Sequence, residues 1–297
     1  MRYIILIFIL LFGFNMFSQD TSAVNGISKT YINIKTYKEK GETLTKQDSL
    51  NFMIEGKDTL VLVTQEFIKQ LRKGNGKEVR VKYEPKDSTF LETYKNIVFG
   101  KKDNSKSTLK IWKDKIRIYF DASVPKKHTI ALMDFAEGLS AAVDSLNIKQ
   151  VDTREESNYL VYYINNENDE DFEPRINNEN SGYYVSWNGK QQLTQASLKV
   201  NTLNIKSGTY QIAHLKFNFF RTLGYFGDNV SLTCQSYLSK CPVIRSLTPI
   251  DMEVLKYHYT YGICKGTNRE DFEAIHTNMK KTLKTHPNAQ LFIVHTL

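Results

Sequence analysis

Residues 211–228 read QIAHLKFNFFRTLGYFGD and predict a helix with two different faces. Apolar side chains recur at helical spacing along one face, at Ile212, Leu215, Phe219 and Leu223. A polar stripe lies beside them, formed by His214, Asn218, Arg221 and Tyr225. Gly224 ends the helix, since glycine is common just past a helix C-terminus. We interpret this helix as the central element of the fold and its polar stripe as the place where chemistry would occur.

The segments around this helix predict a domain rich in strands. Apolar runs and alternation indicate strands at residues 109–120, 158–164, 183–187 and 196–201, with a hairpin turn at Asn188–Gly189. A helix that begins at Pro125 has one apolar face, formed by Ile130, Met133, Ala136, Leu139, Val143 and Leu146. A closing helix follows at residues 248–261, with Thr248 as N-cap, Pro249 in the first turn and Gly262 at the end.

Two motifs and this order of elements resemble a known family. TLGYFGD (222–228) is similar to the helix end and turn after the zinc-binding helix of matrixin-like metzincins, and SLTPIDMEVLKYHYTYG (246–262) resembles their closing helix. The chain also resembles exported bacterial zincin-like proteins of unknown function, and residues 236–238 match their loop after the helix. The resemblance implies an α+β fold: a zincin-like domain at 108–265 with a mixed sheet, two long helices and a closing helix. A small α+β domain at 22–107 precedes it, and a helix–strand extension at 266–297 follows.

The zinc ligands of that family are not matched. Counting back from Gly224 in H-E-x-x-H-x-x-G places Phe217, Asn218 and Arg221 where His, Glu and His should stand. Phe cannot bind zinc, Asn cannot act as the general base, and Arg adds a positive charge. His214 lies one turn too early, although with Asp228 and His258 it could in principle rebuild a site. We therefore predict no catalytic residue, no metal and no cofactor.

Two hypotheses remain for the polar stripe. In the first, His214, Asn218, Arg221, Tyr225 and Asp228 face a groove that binds a peptide, a glycan or an anionic envelope component. In the second, Arg221 fills the space of the missing zinc and pairs with Asp228. Either way the expected protein is non-catalytic, with a binding or interaction role. The alternative is an atypical zinc-dependent peptidase with a non-standard ligand set.

The N-terminal sequence and the charge predict export. Residues 1–18 combine Arg2, an apolar run and a small residue at Ser18, which is typical of a signal peptide. No Cys follows the leader and no later apolar run is long enough to cross a membrane, so we expect a secreted or periplasmic protein without a lipid anchor. The net charge of +8 favours an anionic partner such as a lipid headgroup or polysaccharide, whereas no basic–aromatic run indicates nucleic acid.

Three cysteines occur, and an exported chain favours a disulfide between two of them. We favour Cys234 with Cys241, which closes a short loop after the central helix; three pairings are open, and Cys264 is the third residue. A metal site is disfavoured because no C-x-x-C spacing is present.

The regions outside the central domain are less distinctive. Residues 59–63 and 78–83 predict strands, Thr64 caps a short helix that ends at residues 74–76, and the polar run at 101–107 is a candidate boundary. Exported and basic, this N-terminal unit could also act as an envelope-interaction module. The acidic stretch 165–181 is either a solvated loop or a calcium site of Asp169, Asp171 and Glu173. A last helix at 269–283 and a strand at 290–295 complete the prediction.

Overall fold

A computed structural model describes residues 30–39, 42–55, 58–64, 67, 78–100, 107–241, 246–260 and 266–296. The chain divides into two compact units, residues 1–77 and 78–297. The predicted leader, Gly262 and Cys264 lie outside the described residues. None of the helices within the described ranges is long and apolar enough to cross a membrane.

The smaller unit contains a three-stranded antiparallel sheet in the order β1–β3–β2. Its elements are β1 (Thr30–Asn33), α1 (Ile34–Glu39), α2 (Lys46–Leu50), β2 (Met53–Glu55) and β3 (Asp58–Val63). Val63 and Phe67 are buried, with Ile32 and Tyr37 packed against them. The strand predicted at 59–63 is confirmed, and the Phe67 N–H donates to Thr64 Oγ1 at 3.2 Å as a cap would. The rest of the predicted helix, with residues 74–76, lies outside the described residues.

The larger unit is built on a six-stranded, mostly parallel sheet. Its described elements are β4 (Glu78–Lys82), α3 (Ser88–Phe99), β5 (Ile111–Trp112), β6 (Ile116–Phe120), α4 (Lys126–Ala142), β7 (Ile148–Gln150), β8 (Tyr159–Ile164), β9 (Ser181–Trp187), β10 (Gln192–Asn201), α5 (Gly208–Thr222), α6 (Pro249–His258), α7 (Arg269–Thr285) and β11 (Phe292–Thr296). The sheet order is β5–β10–β8–β6–β7, and β9 pairs antiparallel with β10. The fold is therefore mixed α+β, as predicted.

The central helix and the hairpin agree closely with the sequence patterns. α5 ends at Thr222 with Leu223 as its C-cap, and Leu215, Phe219 and Leu223 are fully buried. Phe220 joins them, whereas Ile212 is only half-buried. β9 and β10 are joined by the turn at 188–191, where the Asn188 N–H donates to the Gln192 carbonyl at 3.0 Å. α5 contacts β9, β10 and α4, so its apolar face packs inside the main core.

Two predictions about the first sheet elements need correction. The strand predicted at 109–120 is interrupted at 113–115, because the consecutive charged residues there form an exposed bend between β5 and β6. β5 pairs with β10, whereas β6 pairs with β7 and β8. On α4, Ile130 is 49% exposed and Leu132 is buried, so the buried face is rotated from the predicted one.

Helix α3 was not predicted from the sequence, and it belongs to the larger unit. Its N-cap Asp87 accepts from the Phe90 N–H at 2.8 Å, and its buried face packs on the last helix through Tyr94 and Phe99, whose rings contact Phe272 of α7. β4 pairs with β11 at the far end of the chain. The compact units therefore divide at residue 77, whereas the polar run had indicated a boundary at 101–107.

Candidate functional site

The C-terminal end of α5 is held by side chains from distant elements. The Thr222 carbonyl accepts from Trp112 Nε1 at 3.0 Å, and the Leu223 carbonyl accepts from the Tyr259 hydroxyl at 2.7 Å. These bonds satisfy carbonyls that a helix C-terminus leaves without intrahelical partners. The position of the polar stripe is therefore set by Trp112 of β5 and by Tyr259, the C-cap residue of α6.

The first two stripe residues meet a serine that the sequence did not indicate. The hydroxyl oxygen of Ser181, at the start of β9, lies 2.6 Å from His214 Nδ1. The same oxygen accepts from Asn218 Nδ2 at 3.1 Å. Ser181 and Asn218 are 5% and 4% exposed, so a ligand outside the protein does not reach this pair directly.

Four contacts hold the side chain of Arg221. Its guanidinium donates to Asp228, to the Tyr237 carbonyl at 3.2 Å and to the Ser239 carbonyl at 3.4 Å. It also lies 4.4 Å from the ring centroid of Phe217. The Arg221 side chain is 11% exposed and that of Asp228 is 41% exposed. This is the ion pair of the second hypothesis, in which arginine fills the space beside the helix.

Tyr225 points elsewhere and forms, with Trp187 and Lys110, what we call the aromatic patch; the two rings are exposed, whereas Lys110 is only 7% exposed. The two ring centroids are 5.4 Å apart, and the side chains are 41% and 45% exposed. Lys110 Nζ lies 4.5 Å from the Trp187 centroid and 5.6 Å from that of Tyr225. Burial lowers the pKa of Lys110. Tyr225 has φ of 52°, a left-handed conformation that is uncommon outside glycine and that the surrounding packing must hold.

The loop after α5 is tied to α6 through one buried carboxylate. Asp251, fully buried, accepts from Ser236 Oγ at 2.5 Å and from the Tyr237 N–H at 3.1 Å. It also accepts from the N–H and the hydroxyl of Thr248, which completes the capping box of α6. The same loop contains the predicted disulfide, Cys234–Cys241, which is present. The motif of the closing helix therefore has a structural role: it positions the carbonyls that bind Arg221.

His258 does not join His214 and Asp228. It is fully buried on α6, with Nε2 2.8 Å from the Lys110 carbonyl and Nδ1 2.9 Å from the Tyr94 hydroxyl. Burial lowers its pKa to about 4. Gly224 lies against the ring, since an added Cβ would stand 2.8 Å from Nε2. We call this closely packed region the α5–α6 junction and define it by Gly224, Asp251, His258 and Tyr259.

The residues at the zinc positions do not fit a zinc ion. Phe217 is an apolar ring against Tyr237, Asn218 is bound to Ser181, and Arg221 is a paired cation. Across the described ranges, no three His, Cys, Asp or Glu side chains converge into a group that could hold a metal.

The carboxylates of the calcium hypothesis have separate partners. Asp169 accepts from the N–H groups of Asn165 and Asn166, at 2.6 and 2.9 Å. Asp171 pairs with Lys199 at 2.8 Å, and Glu173 pairs with Arg175 at 2.5 Å. These bonds fasten the acidic loop to its own turn and to β10.

The structure divides the four stripe residues and Asp228 among three places: His214 and Asn218 at Ser181, Arg221 with Asp228, and Tyr225 in the aromatic patch. The chain matches no protein-family model, and comparison with curated protein sequences finds no match either. The function must therefore be argued from the chemistry of these places.

Proposed function

We propose that the chain is an exported, non-catalytic zincin-like protein that binds an anionic glycan in the cell envelope or outside the cell. The non-catalytic part of this proposal depends on one observation, the hydrogen bonds that hold Arg221. A guanidinium held by one carboxylate and two backbone carbonyls occupies the helix face that a catalytic zinc site needs.

The order of elements supports the zincin-like part of the proposal. A strand (β6), a helix (α4), several strands (β7, β8 and the β9–β10 hairpin), α5, a loop and α6 follow one another in the order that the resemblance implies. The motif residues have structural roles: Thr248 and Asp251 form the capping box of α6, Leu255 is buried in the core, and the Tyr259 hydroxyl donates to the Leu223 carbonyl at the end of α5.

The aromatic patch is the surface that best fits a ligand. Exposed Trp and Tyr side chains offer large rigid apolar faces with few torsions to order on binding. A positive charge already lies beside both rings at Lys110, which disfavours a second cation and favours an anion. Lys110 Nζ donates to the Thr108 carbonyl at 3.0 Å from a largely buried position, and no carboxylate of the described residues neutralises its charge. A sugar ring with a carboxylate, as in a polyuronate, combines an apolar face with that charge, and the net charge of +8 attracts such a polymer.

Affinity electrophoresis in gels that contain alginate tests the binding role. We expect alginate to retard the protein, and Trp187→Ala and Tyr225→Ala each to reduce this retardation. Val230→Ala is the matched control, because Val230 is 81% exposed and lies outside the aromatic patch. Equal retardation of all four proteins, or none for the parent chain, would contradict the glycan proposal.

Metal analysis tests the non-catalytic part separately. We expect the purified mature protein to contain far less than one zinc per chain and to have no peptidase activity. Stoichiometric zinc, together with peptidase activity that His214→Ala removes, would instead establish the atypical zinc peptidase.

A further inference from the structure

A cavity of about 340 Å³ lies in the larger unit, among β4, α6, α7 and β11. Its volume is within the range of small-molecule sites. Apolar and aromatic side chains line much of it, including Val81, Tyr83, Tyr257 and Ile293. His276 of α7 reaches the same cavity, and none of the predicted site residues does.

His276 links the two tyrosines in a buried chain of hydrogen bonds. The Tyr83 hydroxyl is 2.9 Å from Nδ1, and the Tyr257 hydroxyl is 2.9 Å from Nε2. The three residues are 6–8% exposed. Burial lowers the pKa of His276 to about 4 and raises the pKa of both tyrosines, so all three groups are neutral near pH 7.

The hydrogen-bond chain Tyr83–His276–Tyr257 has one more hydroxyl proton than it has acceptors. A neutral imidazole has one N–H and one bare nitrogen. One tyrosine donates to the bare nitrogen, and the other accepts from the N–H, which leaves the second tyrosine's own proton to donate elsewhere. Among the described residues, each hydroxyl has His276 as its hydrogen-bond partner and no further acceptor. A buried donor without an acceptor is costly, so the cavity favours a ligand with an acceptor oxygen.

The charges at the rim indicate the charge of that ligand. Among the described residues, the cavity is lined by Lys82, Lys86 and Lys256 together with Glu84 and Glu253, which gives an excess of one positive charge (3 − 2). Lys86 is paired with Glu253 at 3.3 Å. A monoanion matches this balance, whereas a phosphate monoester near charge −2 would face two carboxylates with too few cations.

We propose that the cavity binds a small aliphatic monocarboxylate, with its oxygen at the Tyr83–His276–Tyr257 chain and its alkyl part against Val81 and Ile293. This site is separate from the aromatic patch, and the proposal does not depend on glycan binding.

Calorimetric titration with octanoate tests the site on the full mature chain. We expect saturable binding with one octanoate per chain, and weaker binding of both 1-octanol and octyl phosphate. Lys256→Glu should weaken octanoate binding about 5-fold, because an exposed rim charge changes sign. Lys190→Glu is the matched control: Lys190 is exposed in the β9–β10 turn, and the substitution changes the net charge equally.

The double variant Tyr83→Phe/Tyr257→Phe removes both hydroxyls with little change of shape and should weaken binding about 10-fold or more. Thermal melting establishes whether it folds; if it does not, the two lysine variants decide the question alone. The proposal is overturned if octanoate shows no saturable binding, if 1-octanol binds as tightly, or if Lys256→Glu and Lys190→Glu behave alike.

Discussion

His258 and His276 are both buried in the larger unit, and both have hydrogen-bond partners at each ring nitrogen. Burial lowers the pKa of each to about 4. Their partners differ. His258 faces a tyrosine hydroxyl and a backbone carbonyl, whereas His276 faces two tyrosine hydroxyls. A carbonyl can only accept, so it fixes the proton of His258 on Nε2; a hydroxyl can donate or accept, so the His276 chain has two arrangements.

The comparison separates a closed region from an open one. In each hydrogen bond described for the α5–α6 junction, only one of the two groups can be the donor. Gly224 leaves no space beside the ring of His258. At His276 the same residue type borders a cavity with a spare donor. A buried histidine alone therefore does not indicate a site; the kind of partner and the space around it do.

Loss of Asp251 should have the largest effect on the closed region. Asp251→Ala removes the acceptor of four hydrogen bonds and leaves unpaired the buried donors of Ser236 and Tyr237 and the half-buried donors of Thr248. We expect the free energy of unfolding to fall by about 4 kcal/mol. Urea denaturation measures the loss. Glu253→Ala on the same helix removes one exposed ion pair and should cost less than about 1 kcal/mol; similar losses for the two variants would refute this reading of α6.

Filling the space at Gly224 should be the next most damaging change. An alanine Cβ there would overlap the buried ring of Phe226 and approach His258 Nε2 to 2.8 Å, so we expect a loss of about 3 kcal/mol. Gly138→Ala is the control. Gly138 lies at an exposed position of α4, where an added Cβ meets no atom within 4 Å apart from the helix's own backbone, and the change should stabilise by about 1 kcal/mol. Denaturation curves that shift in the same direction for both variants would rule out close packing at Gly224.

Acid should weaken the fold through both histidines. Their folded pKa of about 4 lies below the ordinary value near 6.5, so the unfolded chain binds more protons between these pH values. Stability is therefore full above pH 6.5 and falls as the pH is lowered. His258 alone should contribute about 2 kcal/mol of loss from pH 7 to 5.

His128, whose pKa burial and Lys127 also lower, adds to the acid effect with the same sign. Carboxylates with lowered pKa, such as Glu92 and Asp171, act at more acidic pH. Urea denaturation at pH 7, 6 and 5 measures the slope, and unchanged stability across that range would show that the imidazoles are accessible to protonation.

The smallest expected effect, on the histidine tautomers, tests the difference between His258 and His276 most directly. Nitrogen-15 NMR of the imidazoles at pH 7 should show His258 as the pure Nε2–H tautomer, because the Lys110 carbonyl requires it. His276 should show both tautomers in exchange, and octanoate should shift their ratio. A single tautomer at His276 that octanoate leaves unchanged would contradict the two arrangements of the Tyr83–His276–Tyr257 chain.

The elements near the centre of the fold follow from local patterns. The apolar period of residues 211–228 predicted α5, Thr248 and Asp251 predicted the N-terminus of α6, and Asn188–Gly189 predicted the hairpin. The preferred disulfide, Cys234–Cys241, also followed from spacing within one loop. Such features succeed because their physical cause lies within a few residues of chain. Helix α3 was missed although its signals are equally local: Asp87 is a strong cap, and apolar residues recur at helical spacing at Phe90, Leu91, Tyr94, Ile97 and Val98.

The candidate sites depend on contacts between residues far apart in the chain. The polar stripe was one row in sequence, but Ser181, Asp228 and Trp187 divide it among three places. Tyr83 and His276 are 193 residues apart, and Tyr94 and His258 are 164 apart. Local periodicity determines which face of a helix is buried. Which donor then meets which acceptor, and where a cavity remains, depends on the packing of several helices and strands at once, and only the tertiary structure decides it.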